Sequence, residues 1–212
     1  MGLYFGWREF RFLTDDAYIA FRYISNDILG NGFVWNAAPF RAVEGYTSFL
    51  WVLILDIVWR FTGVEPPDSA NILSLVFSFG TMVLLSFAIL RMNLNKELAR
   101  KRSILLGLAL TGLLVDTTFL TWSSSGLETA LFNFLFTFWI IAVVFGNHHS
   151  PLWRFTVTLT ASLVYLARPD GIVVVVTTMA LMVPTLIGSI SRKEFNVKWV
   201  LTISPLIIPP TH

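Results

Sequence analysis

Asp15 and Asp16 stand side by side in Thr14-Asp15-Asp16-Ala17-Tyr18-Ile19-Ala20-Phe21-Arg22, and this stretch has the residue types for acid–base chemistry. Thr14 is placed to cap a helix predicted over 15–29. Both acids then fall in its first turn, where the helix dipole favours negative charge. They read equally as dipole-stabilising acids and as a reactive pair. Tyr18, Phe21, Arg22 and Ser25 follow at three- and four-residue steps and share a face with Asp15. An ionised aspartate can take the proton of an attacking hydroxyl, while its neighbour orients it or holds a divalent metal. Where the leaving group is a phosphate, already a weak base, no protonated second carboxyl is needed. Glycoside hydrolysis, by contrast, does need one.

Other polar residues recur at the edges of apolar runs. Glu44, in Val43-Glu44-Gly45-Tyr46-Thr47-Ser48, is either a solvated loop acid or a lining residue of the same cavity as Asp15. Glu128 follows Ser123-Ser124-Ser125-Gly126-Leu127. That run reads as a helix cap with an acid in the first turn, and a ligand contact stays open. Arg168-Pro169-Asp170-Gly171 has the composition of a tight turn, and Arg168 suits a helix C-terminus. An arginine there is also a good partner for phosphate, as are Arg22 and Arg41. Asp116 lies inside an apolar run, where an ionisable residue is a functional candidate by default. Asp56 and Arg60, one turn apart, read as a structural ion pair, and the adjacent His148 and His149 as a loop.

The elements that must position these residues are mostly apolar helices. The chain has 212 residues, 55% hydrophobic and 13% charged, with a mean hydropathy of +0.70. Soluble domains carry about 25% charged residues. The apolar residues fall in long runs between short polar patches, the pattern of a multi-pass helical membrane protein. Spans are predicted at about 70–92, 103–122, 127–146, 152–167 and 171–190, with a partial one at 197–210. The run 45–61 is short and holds Asp56 and Arg60, which suits an interfacial or re-entrant helix. Residues 1–13 are too short and too charged to span or to act as a signal peptide. The chain therefore divides into an outer-face loop, 1–69, and a membrane part, 70–212.

Charge assigns the sides. Arg91, Lys96, Arg100, Lys101 and Arg102 crowd one loop, and Arg192, Lys193 and Lys198 another. His148, His149 and Arg154 mark a third. If 70–92 is the first crossing, all three lie on one side, and the positive-inside rule makes that side cytoplasmic. Residues 1–69, 123–126 and 168–170 then share the outer face. No basic stripe interleaves with aromatics as in nucleic-acid binding. There is no cysteine, which excludes disulfides and thiolate metal sites.

Five stretches together carry a likeness: Asp15-Asp16-Ala17-Tyr18-Ile19 with Phe21-Arg22, Gly30-Asn31-Gly32-Phe33-Val34-Trp35-Asn36, Val43-Glu44-Gly45-Tyr46-Thr47, Ser125-Gly126-Leu127-Glu128-Thr129-Ala130, and Arg168-Pro169-Asp170-Gly171. In this order they resemble the bacterial GT-C glycosyltransferases, most of all the group containing the mycobacterial terminal arabinofuranosyltransferase. The resemblance implies an all-α, multi-pass protein of the bacterial plasma membrane with catalysis on the periplasmic face. The donor would be a polyprenyl-phosphate sugar and the acceptor a cell-envelope glycan, lipid or protein. Asp15 or Asp16 maps onto the catalytic base, with Arg22, Arg41, Glu44, Tyr46, Glu128, Arg168 and Asp170 as substrate or phosphate contacts. Members of the family carry a helix before the Asp-Asp motif and further helices after the last ones seen here. The chain thus reads as an N-terminal fragment. A catalytically incomplete remnant or accessory protein binding lipid-linked sugar is the second reading. A transporter or flippase is the third; it needs charged helices along a midplane path, and only Asp116 offers one.

Overall fold

The structure, a computed structural model, describes residues 1–191 except 42, 44 and 149, with the backbone alone at 185, 186 and 188–191. Glu44, His149 and the expected partial span at 197–210 lie outside the described residues. Within them the protein is all-helical, with ten α-helices and one 3-10 turn. Two compact units meet in sequence between Phe134 and Leu135.

The first unit begins with a helix that the residue pattern did not predict, α1 (Gly2–Glu9). Leu3 and Trp7, one turn apart, are its buried residues, and the Trp7 indole N–H donates to the Asn71 carbonyl at 3.1 Å. Helix α2 (Asp15–Ile28) starts where its cap predicts, the Thr14 hydroxyl accepting from the Ala17 amide at 3.3 Å. It ends ahead of Gly30, which takes φ +84°. Helix α3 (Phe49–Thr62) has 14 residues, a rise of about 21 Å, short of a hydrocarbon core of about 30 Å. The Asp56–Arg60 pair forms at 2.8 Å, and Arg60 also binds Asp27 at the end of α2. Asp56 is only 5% exposed, a carboxylate that would be costly to bury alone; Arg60, which pairs with it, fastens α3 to α2 through Asp27. The bond from Asp56, with Asp27 adding to it, raises the Arg60 guanidinium above its ordinary value, against the opposing effect of burial. A raised basic group loses its contribution only as pH climbs through the folded value, so this pair holds across the whole physiological range.

Helix α4 (Pro66–Arg91) is the axis of this unit, and α1, α2, α3 and the helix Arg102–Val115 all pack on it. Its two faces are inverted relative to a soluble helix. Asn71, Ser74, Ser78 and Thr81, at helical steps, are buried, while Ile72, Val76, Phe79, Val83, Phe87 and Leu90 form an exposed stripe. Val76 and Phe79 are 57% and 61% exposed, against 0% and 1% for Ser74 and Ser78. Among the described residues this is the one helix long and apolar enough to cross a membrane.

The expected span at 103–122 is corrected to two helices, α6 (Arg102–Val115) and α7 (Thr117–Trp122), separated at Asp116. The cause is local. Asp116 leaves the helical region (φ −71°, ψ 104°) and its carboxylate accepts the Thr118 amide at 2.9 Å, capping α7. The residue that read as a functional charge inside a span is thus a helix cap. The short α5 (Lys96–Arg100) precedes α6, capped by Asn95 through the Leu98 amide at 2.9 Å.

Helix α8 (Thr129–Phe145) opens in the first unit and continues in the second. Glu128 sits just before it rather than in its first turn, its carbonyl accepting from the Phe132 amide at 2.9 Å. The second unit adds α9 (Pro151–Ala167), a 3-10 turn (Pro169–Gly171) and α10 (Ile172–Ser191). Two tryptophans join its helices: Trp139 donates to the Thr178 hydroxyl at 2.9 Å, and Trp153 to the Ala142 carbonyl at 2.8 Å. His148 lies in the α8–α9 loop with its ring 4.5 Å from that of Trp153.

Candidate active-site cleft

A cleft of about 240 Å³ opens in the first unit, lined by Asp16, Ile19, Ala20, Gly45, Tyr46, Thr47, Ser48, Trp51, Leu127 and Glu128. Three of the stretches singled out in the sequence supply its wall: the start of α2, residues 45–48, and the residues just before α8. Asp16, Tyr46 and Glu128 meet there. Asp15 does not line it, because consecutive helical residues point about 100° apart. Among the described residues the lining holds two carboxylates, hydroxyls and an indole, and no lysine or arginine.

The 123–126 loop is the clamp that holds these parts together. The Ser125 carbonyl accepts from the Thr14 amide at 3.1 Å, fixing the residue that caps α2. The Ser124 hydroxyl donates to the Phe10 carbonyl at 2.7 Å. The Gly126 carbonyl accepts from the Trp51 indole N–H at 3.0 Å, drawing in α3. Gly126 has φ +81°, and a Cβ there would lie 2.5 Å from Leu13 Cδ2 and 3.3 Å from Ala17 Cβ. Ser124 through its hydroxyl and Ser125 through its carbonyl thus tie the loop to the rest of the site, and all three serines are buried.

Val43 and Tyr46 are positioned by Tyr23, which is fully buried. Its hydroxyl donates to the Val43 carbonyl at 2.7 Å, and its ring meets that of Tyr46 edge-on at 4.6 Å. Tyr23 and Trp51 were not among the sequence candidates. The signal available was that a buried Tyr or Trp needs a partner for its polar tip; the partners, two backbone carbonyls, carry no side-chain signature. Tyr23→Phe is expected to keep the fold and lower its stability by about 0.5–1.5 kcal/mol, read by denaturant titration in detergent, with residues 43–48 loosened in hydrogen exchange.

The cations sit elsewhere. The Arg22 guanidinium lies 4.5 Å over the Trp35 ring, and its Nε donates to the Trp35 carbonyl at 2.9 Å. Asn26 donates to the Val34 and Trp35 carbonyls at 2.6 and 3.0 Å, so α2 holds the 33–36 segment flat against itself. Arg41 is exposed and does not line the cleft. Arg168 and Asp170, in the second unit, pair with each other at 2.9 Å.

Comparison with protein-family models, curated proteins and solved structures finds no match to this chain.

Among the described residues no three His, Asp or Glu side chains gather as a metal would require. Asp15 and Asp16 diverge from one turn and do not make such a set. The carboxylates of the cleft can accept a proton from a hydroxyl and hold further hydroxyls by hydrogen bonds.

Proposed function

We propose that the protein is a membrane-embedded glycosyltransferase that moves a sugar from a polyprenyl-phosphate donor to a hydroxyl of a cell-envelope glycan, lipid or protein at the outer face of the plasma membrane. The observation that carries this reading is the convergence of Asp16, Tyr46 and Glu128, from three separate motifs of the GT-C likeness, on one cleft. The cleft is small for an organic ligand site, which suits a single sugar ring. Its two carboxylates and lack of cations favour an uncharged polyol over a phosphate.

In this mechanism Asp16 accepts the proton of the acceptor hydroxyl as its oxygen attacks the anomeric carbon. The bond between that carbon and the phosphate oxygen breaks, and its electron pair leaves with the lipid phosphate. No acid is needed at the leaving group. Glu128 and Tyr46 hold the acceptor's other hydroxyls. The donor phosphate stays outside the acidic cleft, with Arg22 and Arg41 as its candidate partners in this unit. Asp116, the residue on which the transport reading rests, has a structural role as the cap of α7, which favours transfer over transport.

The inverted faces of α4 support the membrane part. Large apolar side chains in an exposed helical stripe are costly in water and favourable in lipid, and small polar residues on the inner face let neighbouring helices approach. The absence of cysteine gives a direct test of sidedness. In intact cells a membrane-impermeant maleimide is expected to label Asn31→Cys, in the exposed turn after α2, but Lys96→Cys only after permeabilisation. Labelling of both from the same side would overturn the topology.

A further inference from the structure

The connection from α4 to α6 carries a charge arrangement that the proposed transfer does not use. Arg91, Lys96, Arg100, Lys101 and Arg102 fall within it, with Glu97 as its one acid. Arg102 serves the fold. Its guanidinium donates to the Leu90 and Met92 carbonyls, each at 2.8 Å, closing the last turn of α4. The other four cations are exposed, and none makes an ion pair among the described residues. The Arg91 guanidinium rests over the Phe87 ring, 5.5 Å from its centroid, at the end of the apolar stripe. Around them Phe87, Leu90, Met92, Leu98, Ile104 and Leu108 are exposed as well. Unpaired cations standing on the rim of an exposed apolar band are complementary to one surface, an anionic lipid leaflet, with acyl chains against the band and phosphates against the charges.

We infer that the α4–α6 connection is a binding surface for anionic phospholipid headgroups, with Lys96, Arg100 and Lys101 as its contacts. This rests on α4 crossing the membrane. The three residues are exposed and hold no structural hydrogen bond with their side chains, so they can be changed without touching the Arg102 closure.

The test uses the full chain reconstituted in phosphatidylcholine vesicles with or without phosphatidylglycerol. Spin-labelled lipids measure which headgroup stays at the protein surface. The wild type is expected to retain phosphatidylglycerol in preference to phosphatidylcholine. The K96Q/R100Q/K101Q variant, with an unchanged helical circular dichroism signal, is expected to lose this preference by about ten-fold or more. Glu97→Gln is expected to increase it. A wild type that inserts but shows no preference, a triple variant that keeps the preference, or full competition by inorganic phosphate would overturn the proposal. Failure to insert into neutral vesicles at all would instead bring down the membrane reading, and this surface with it.

Discussion

Asp16→Asn is expected to lower glycosyl transfer by about 10²–10⁴-fold, the usual contribution of a general base, while Asp15→Asn stays within about ten-fold of wild type. Both acids lie in the first turn of α2, and both are exposed. Only Asp16 faces the cleft that Tyr46 and Glu128 share. Asparagine keeps the shape and the helix N-terminus and removes the proton acceptor, so the loss should fall on turnover and not on the amount of protein in the membrane. Glu128→Gln tests the other wall. A residue that holds the acceptor's hydroxyls should show mainly as a higher acceptor KM, whereas the base shows as a lower kcat. The assay follows labelled sugar from polyprenyl-phosphate donors into envelope acceptors in membranes carrying each variant. If Asp15→Asn is the dead variant and Asp16→Asn the active one, the base moves to Asp15 and the cleft loses its role. If both retain full activity, the transferase assignment fails.

Gly126→Ala is the second large effect, and it acts through shape alone. Alanine in the left-handed region costs about 1–2 kcal/mol. Its methyl would sit 2.5 Å from the end of the Leu13 side chain, adding an overpacking cost of about 1–3 kcal/mol. The same loop carries the bonds to Thr14, Phe10 and Trp51, so the strain spreads to α2 and α3 together. A lower melting temperature in detergent and a parallel loss of transfer are expected. Leu13→Ala added to Gly126→Ala relieves the steric part and not the backbone part. The double variant should therefore recover some stability beyond the sum of the singles. Strict additivity would place the strain elsewhere.

Helix α2 was legible because its capping is local: Thr14, two acids and a glycine turn lie within one stretch. The Asp56–Arg60 pair was legible for the same reason, being one turn apart. The core of α4 was legible as an apolar run, but not its inversion, since hydropathy counts residues without saying which face meets protein. Asp116 went the other way. Its capping bond reaches only two residues on, yet the apolar residues on both sides outweighed one polar signal in the reading of 103–122. The cleft was half legible. Asp16 and Glu128 were read from their types and flanks, and Tyr46 only from the family resemblance. What brings them together is a set of backbone carbonyls on the 123–126 loop and at Val43, and a carbonyl leaves no mark in the residue letters.

The serine clamp has a consequence for how the protein is made. The Ser124–Phe10 bond spans 114 residues and the Trp51–Gly126 bond 75. At the usual pace of synthesis the first of these separations is a delay of roughly 6–23 s. Through that interval α2 and α3 exist without the loop that sets their spacing, and the acids of α2 face solvent with no cleft around them. Assembly of the site therefore waits until α4, α6 and α7 have been made. A nascent chain halted anywhere before Ser123 carries the α2 acids but lacks the loop that shapes the cleft around Asp16.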